Sequence, residues 1–268
     1  MKIKLKLLNK IAIICIEKSI MKNIKINDLN INYECVGNGK DIILLHGWGQ
    51  SIEAFRPTID FLKKNYKVWA IDLPGFGMSD QPLTGMDIYE YEEILSSFIK
   101  KNNIKNPSLL GHSFGGRISI IYAAKNKNID KLVLTGAAGI KPKRKFSYKF
   151  KVYHYKFMKF LCNTPFYFQY KSDLLSTSGS TDYKNASSVM KETLIKVVNE
   201  DLTYLLGKIE CETLLYWGEN DDATPLDDGV KMNDLIPNAM LVVVNGYGHF
   251  AYLENFQDFN TKIDDFLA

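Results

Sequence analysis

Short apolar runs and helical stripes alternate along this chain. Apolar runs near 24–27, 30–35, 41–45, 67–71, 107–111, 130–135, 212–217 and 240–244 read as strands. Apolar positions recur at helical spacing near 87–102, 114–125, 227–235 and 254–267. Strands and helices in turn, joined by short connections, predict an α/β fold: a mostly parallel sheet of these eight strands, with helices on both faces. The alternation breaks between Gly139 and about Gly207. There Phe146, Phe150, Tyr153, Phe157 and Phe160 recur at helical spacing among lysines, and a second helical stretch runs from Ala186 to Leu206. The pattern therefore divides the chain into a core, 21–139 and 207–268, and an insertion, 140–206. Packing of the insertion on the core accounts for most of the aromatic stripe, and some of its rings are expected to line an apolar pocket.

Residues 1–20 stand apart. Alternating lysines lead into Ile11-Ala12-Ile13-Ile14-Cys15-Ile16, a run too short to span a bilayer. No small-residue cleavage pattern follows it, so export is the lesser reading. The stretch reads as an upstream extension, with Met21 as the natural start ahead of the first strand.

Composition narrows the class without changing this picture. With 268 residues, 46% of them hydrophobic, the chain suits one large α/β domain carrying an insertion. The net charge of +4 is mild, and the basic residues scatter apart from Lys141-Pro142-Lys143-Arg144-Lys145, so nucleic acid is not an expected partner. Cys15, Cys35, Cys162 and Cys211 show neither C-x-x-C spacing nor a metal pattern and fit reduced thiols in the cytoplasm. No metal or organic cofactor is expected, and the oligomeric state is not readable.

The candidate chemistry centres on Gly111-His112-Ser113-Phe114-Gly115, which follows an apolar run and opens a helix-like one. Strand, sharp turn and helix with a serine at the tip form a nucleophile elbow. The turn strains the serine backbone and lifts its hydroxyl clear of the sheet. A serine needs a base and a group that orients the base. Of the four histidines, His112 adjoins the serine and should point away from it, His46 reads as a structural loop residue, and His154 has no partner pattern. His249, in Gly246-Tyr247-Gly248-His249-Phe250 after a late apolar run, is the expected base. The acid should lie between serine and base in chain order. Asp221, in Gly218-Glu219-Asn220-Asp221-Asp222-Ala223-Thr224-Pro225, is favoured, with Asp222 as competitor and Glu219 as a solvated loop charge. Thr224-Pro225 also reads as a helix cap followed by a first-turn proline. An oxyanion needs aimed N–H donors. The backbone amides of Phe114 and of Trp48, in His46-Gly47-Trp48-Gly49-Gln50, are the expected pair.

These pieces together resemble an α/β-hydrolase fold serine hydrolase. The matching segments, in the family's order, are His46-Gly47-Trp48-Gly49, Asp72-Leu73-Pro74-Gly75-Phe76-Gly77-Met78-Ser79, Gly111 to Gly116, Trp217 to Asp221 and Gly248-His249. They span residues about 41 to 253. Within the superfamily the chain is similar to the branch of small carboxylesterases, pimeloyl-carrier methyl ester esterases and meta-cleavage C–C hydrolases. The resemblance implies a helical cap over 140–206, a structural Asp72 loop, and acyl transfer through Ser113, His249 and Asp221. It implies a small or medium carboxylic ester as substrate and, as the alternative, C–C bond hydrolysis of a dienoic diketone. Arg117 follows the elbow, but no wider polar set points to the C–C branch. A non-catalytic small-molecule-binding protein on the same fold is a third reading, against which the complete triad argues.

Overall fold

In the computed structural model, residues 21–141 and 186–268 are described. Strands β1 (Lys22–Ile26) and β2 (Leu29–Val36) form an antiparallel hairpin. Its two-residue tip, Asn27-Asp28, has φ of 46° and 64°, the left-handed pair that suits a twisted hairpin. Then follow β3 (Lys40–Leu45), a single turn of 3-10 helix (Ile52–Phe55), α1 (Arg56–Leu62), β4 (Tyr66–Ile71), α2 (Ile88–Lys101), β5 (Ser108–His112), α3 (Phe114–Lys125) and β6 (Lys131–Thr135). After the insertion's first part come α4 (Ser188–Asn199), α5 (Thr203–Leu206), β7 (Glu212–Gly218), α6 (Leu226–Leu235), β8 (Ala239–Val244), α7 (Ala251–Glu254) and α8 (Phe256–Leu267).

The eight strands make one sheet in the order β1-β2-β4-β3-β5-β6-β7-β8. All neighbours from β4 to β8 run parallel, and only the pairings of β2 are antiparallel. Ile42, Ile43, Leu44 and Leu45 of β3 are all buried, as are Leu109 and Leu110 of β5. Burial of successive residues requires cover on both faces, which explains why the central strands read as continuous apolar runs. One face packs on α2, α3 and α6 through Tyr91, Leu95, Phe98, Ile118, Ile121 and Met232. The other packs on α1 and α8 through Ile59, Leu62, Phe259 and Ile263.

Local signals set several boundaries. Asp87 caps α2 by accepting from the amides of Tyr89 (2.9 Å) and Glu90 (3.0 Å), and the Glu90 carboxylate returns to the Asp87 amide (2.6 Å). The sequence pattern anticipated all eight strands but assigned nothing to Ile52–Leu62. Pro57 there reads as a breaker, whereas it occupies the first turn of α1, where its missing N–H costs nothing. The stretch expected from Ala186 to Leu206 is two helices separated at Glu200–Leu202, and the expected final helix breaks at Asn255. Residues 1–20 and 142–185, with the aromatic stripe, His154, Cys15 and Cys162, lie outside the described residues. No described helix is long and apolar enough to cross a membrane.

Candidate active site

Ser113 is the single residue between β5 and α3. Its φ of 48° and ψ of −106° place a non-glycine residue in strained backbone. The surroundings hold that conformation. The Ser113 amide donates to Thr135 O (3.2 Å), and its carbonyl accepts from the Gly116 (3.1 Å) and Ala138 (3.0 Å) amides. Strand and helix cross so closely that a Cβ on Gly111 would stand 2.6 Å from Ser119 Oγ, and one on Gly115 would strike the Leu45 carbonyl. Ser113 itself is part-exposed at the end of the sheet.

Thr135 ends β6, and Gly136, the next residue, faces the candidate base and acid. A Cβ there would stand 3.1 Å from Asp221 Oδ2 and 3.2 Å from His249 Nδ1. His249 Nδ1 lies 2.8 Å from Asp221 Oδ2. The Asp221 carboxylate is fully buried and satisfied on both oxygens. Oδ1 accepts from the amides of Ala223 (2.9 Å) and Thr224 (2.8 Å), and Oδ2 faces the Thr224 hydroxyl (2.8 Å) as well as His249. Burial pushes this carboxyl up, but the hydrogen bonds from His249 and Thr224 outweigh it and hold the group below its ordinary value. Asp222 is exposed, and Glu219 is an exposed loop residue whose carboxylate accepts from the Gly246 amide (3.1 Å).

The expectation that Thr224 caps a helix with Pro225 in its first turn is corrected here. Pro225 occupies the N-cap position of α6, and Thr224 makes no cap bond. Its hydroxyl is turned inward, between Asp221 and the Gly136 carbonyl (3.0 Å), while its own carbonyl accepts from the Trp217 indole (2.8 Å). The pull of two buried acceptors outweighs a solvent-facing cap.

Trp48 and Phe114 come together from different segments. Their rings lie 5.4 Å apart at 77°. The amide of Phe114 is the first of α3 and has no acceptor within the helix. Trp48 sits in a turn closed by Gln50 N–H to Gly47 O (3.2 Å), with Gly49 at φ 73°. His46, as expected, serves the loop. Its Nε2 accepts from the Leu73 amide (3.0 Å), so Nδ1 carries the proton and donates to Gly47 O (2.8 Å). Burial lowers its pKa.

Three supporting residues escaped the sequence reading. His112 is buried with its ring 4.8 Å from that of His249. Its ring nitrogens face the Gln50 amide oxygen (3.0 Å) and the His249 carbonyl (3.1 Å). Burial, with His249 nearby, pushes its pKa down to about 3. Gln50 also accepts from the Gly47 amide (2.9 Å) and donates to the Tyr252 hydroxyl (3.3 Å), so it joins the Trp48 loop to α7. Phe76 packs against Trp48 at 4.9 Å. The G-x-S-x-G spacing marks His112 only by adjacency, and nothing local marks Gln50 or Phe76. Arg117 is buried in α3 and donates to the Glu200 carbonyl at the break between α4 and α5 (2.9 Å).

The family described as the alpha/beta hydrolase fold matches residues 41–178 and 165–256. The chain belongs to this family. It is 29% identical to a 2-hydroxy-6-oxononadienedioate/2-hydroxy-6-oxononatrienedioate hydrolase of Pseudomonas putida, over 94% of this chain and 98% of that protein. It is 28% identical to the 2-hydroxy-6-oxo-6-phenylhexa-2,4-dienoate hydrolase of Comamonas testosteroni, over 90% and 92%. Among solved structures, an esterase from Exiguobacterium antarcticum superposes with a TM-score of 0.74 at 25% identity, covering 92% of this chain and 99% of that one. This alpha/beta hydrolase fold protein thus has relatives named for dienoate hydrolysis and a structural neighbour named as an esterase.

Proposed function

We propose that the protein is a serine hydrolase that cleaves small or medium carboxylic esters through an acyl-enzyme. The observation that carries this reading is the buried Asp221 carboxylate held 2.8 Å from His249 Nδ1 across Gly136, which directly follows the strand residue bonded to the strained Ser113. His249 Nε2 takes the Ser113 proton as Oγ attacks the ester carbonyl. The carbonyl electron pair moves to oxygen, where the Trp48 and Phe114 amides stabilise it. Collapse expels the alkoxide, which takes the proton from His249. Water then repeats the sequence on the acyl-enzyme and releases the acid. Asp221 orients the imidazole and stabilises its charged form. In this reading residues 140–206 form a cap that roofs Ser113 and selects substrates, and the protein works in the cytoplasm on its four unpatterned cysteines.

Hydrolysis of a C–C bond in a dienoic diketone is the second reading. The two relatives named for dienoate hydrolysis, at 28–29% identity over nine-tenths or more of both chains, favour it. Labelling of Ser113 by a fluorophosphonate tests the shared serine chemistry. Turnover of p-nitrophenyl esters from acetate to decanoate, set against a 2-hydroxy-6-oxo-hexadienoate, then separates the readings. Faster kcat/KM on the dienoate overturns the ester assignment, and loss of neither labelling nor turnover in Ser113→Ala overturns both.

A further inference from the structure

We propose that Phe76 is a positioning residue that sets the geometry of the two oxyanion donors; the inference rests on the serine-hydrolase reading above. The donor amides belong to separate segments, Trp48 in the loop after β3 and Phe114 at the start of α3. One backbone bond, Gly115 N–H to His46 O (3.1 Å), joins those segments. A second tie is the Gln50 amide oxygen, 3.0 Å from a His112 ring nitrogen. Side-chain packing supplies the rest, and Phe76 packs on both donor residues. Its ring meets Trp48 at 4.9 Å and 76°, and Phe114 at 6.1 Å and 61°, while Trp48 and Phe114 meet each other. Three rings in mutual edge-to-face contact leave little freedom to any one of them.

The Phe76 ring is itself held from both sides. On the core side the His46 ring lies 5.7 Å from Phe76 at 87°, and the loop is tied by Phe76 N–H to Leu73 O (2.9 Å) and Ser79 N–H to Phe76 O (3.1 Å). The buried Asp72 carboxylate anchors the same loop, accepting from the amides of Met78 and Ile52 at 2.8 Å each. On the insertion side, Met190 of α4 presses on Gly75 so closely that a Cβ there would collide with its sulfur. A loop fixed this firmly, carrying a half-buried ring packed on both donor residues, is built to hold their arrangement. Covering apolar surface alone would not require the carboxylate anchor or the contact from α4.

An alkyl trifluoromethyl ketone tests this directly. Ser113 Oγ bonds to its carbonyl carbon, the serine proton passes to His249, and the carbonyl electron pair becomes an oxyanion on the donors. The matching methyl ketone binds without adding. Phe76→Leu is expected to weaken the trifluoromethyl ketone by about 10–100-fold and lower kcat by the same factor, a fraction of what loss of a whole donor costs. Methyl ketone affinity and KM should stay within about twofold, and Phe76→Tyr should restore both. Trp48→Leu keeps its donor amide and removes the other half of the contact. It should show the same selective loss, and it decides the matter if Phe76→Leu does not fold. Equal weakening of both ketones, or of neither, overturns the inference while leaving the serine mechanism standing. Absence of fluorophosphonate labelling of Ser113 in the unaltered protein overturns both.

Discussion

Oδ2 of Asp221 lies 2.8 Å from Nδ1 of His249, while Asp222, the next residue, is exposed to solvent. The two aspartates are chemically identical and adjacent, so their variants make a controlled pair. Asp221→Asn should lower kcat by about 10²–10⁴ through loss of orientation and imidazolium stabilisation. Asp222→Asn should cost less than about threefold, within the range of surface changes. Steady-state ester kinetics on both variants checks the order, and its reversal would move the acid to Asp222.

Thr224 is the next residue to test. Its hydroxyl joins Asp221 to the Gly136 carbonyl, and both partners are buried. Thr224→Val keeps the shape and removes the one hydroxyl proton that Asp221 Oδ2 and the Gly136 carbonyl share, at about 1–3 kcal/mol. We expect a lower melting temperature together with roughly tenfold lower kcat, because the freed carboxylate holds the imidazole less firmly. Unchanged kcat with lowered stability would limit Thr224 to a structural part.

Ser113 should show stability and activity in opposition. At φ 48° its side chain strains the backbone, and glycine tolerates that region. Ser113→Gly should remove fluorophosphonate labelling and ester turnover while raising stability by roughly 1 kcal/mol. Chemical denaturation of the two proteins measures this. A less stable glycine variant would mean that the turn geometry is not strained.

Acid sensitivity follows from two buried imidazoles. Burial lowers the pKa of His46 and of His112, the latter from 6.5 to about 3. In the unfolded chain both rings protonate below about 6.5, so between that value and the folded pKa the unfolded state binds more protons. Their contribution to stability is full above about 6.5 and is lost as pH falls below it, for His112 at up to about 1.4 kcal/mol per pH unit. Denaturation midpoints at pH 7.5, 6.0 and 5.0 should fall accordingly. His112→Asn, which cannot titrate, should flatten the slope by about one proton. An unchanged slope would show that His112 is protonated in the folded state.

The sheet was legible because its signals are local. Runs such as Ile42-Ile43-Leu44-Leu45 need only their own composition to read as a buried parallel strand, and the Asp87–Glu90 capping box spans three residues. The G-x-S-x-G turn is local as well, since its glycines answer contacts between one strand and the helix that follows it. The α1 segment was not legible, because Pro57 carries the same local signal as a breaker and as a first-turn residue.

The chemistry divides along the same line. Motif spacing alone pointed to Ser113 and His249 and favoured Asp221, with Asp222 as its competitor. That the Asp221 carboxylate, and not that of Asp222, lies against His249 is visible only in the direction in which each side chain leaves the loop after β7, with Gly136 packed alongside. The contact of Asp221 with His249 joins residues from different segments, as do those of His112 with the His249 carbonyl, Gln50 with Tyr252, and Phe76 with both Trp48 and Phe114. No periodicity of two or 3.6 residues encodes them, because they exist only once the strands from β3 to β8 lie side by side and bring their C-terminal loops together. The sequence by itself determined the strands, the elbow and the candidate residues, Asp221 favoured among them. The closure of the sheet decided which carboxylate meets His249, and which side chains pack around Ser113 and His249, because those contacts depend on segments that no local pattern links.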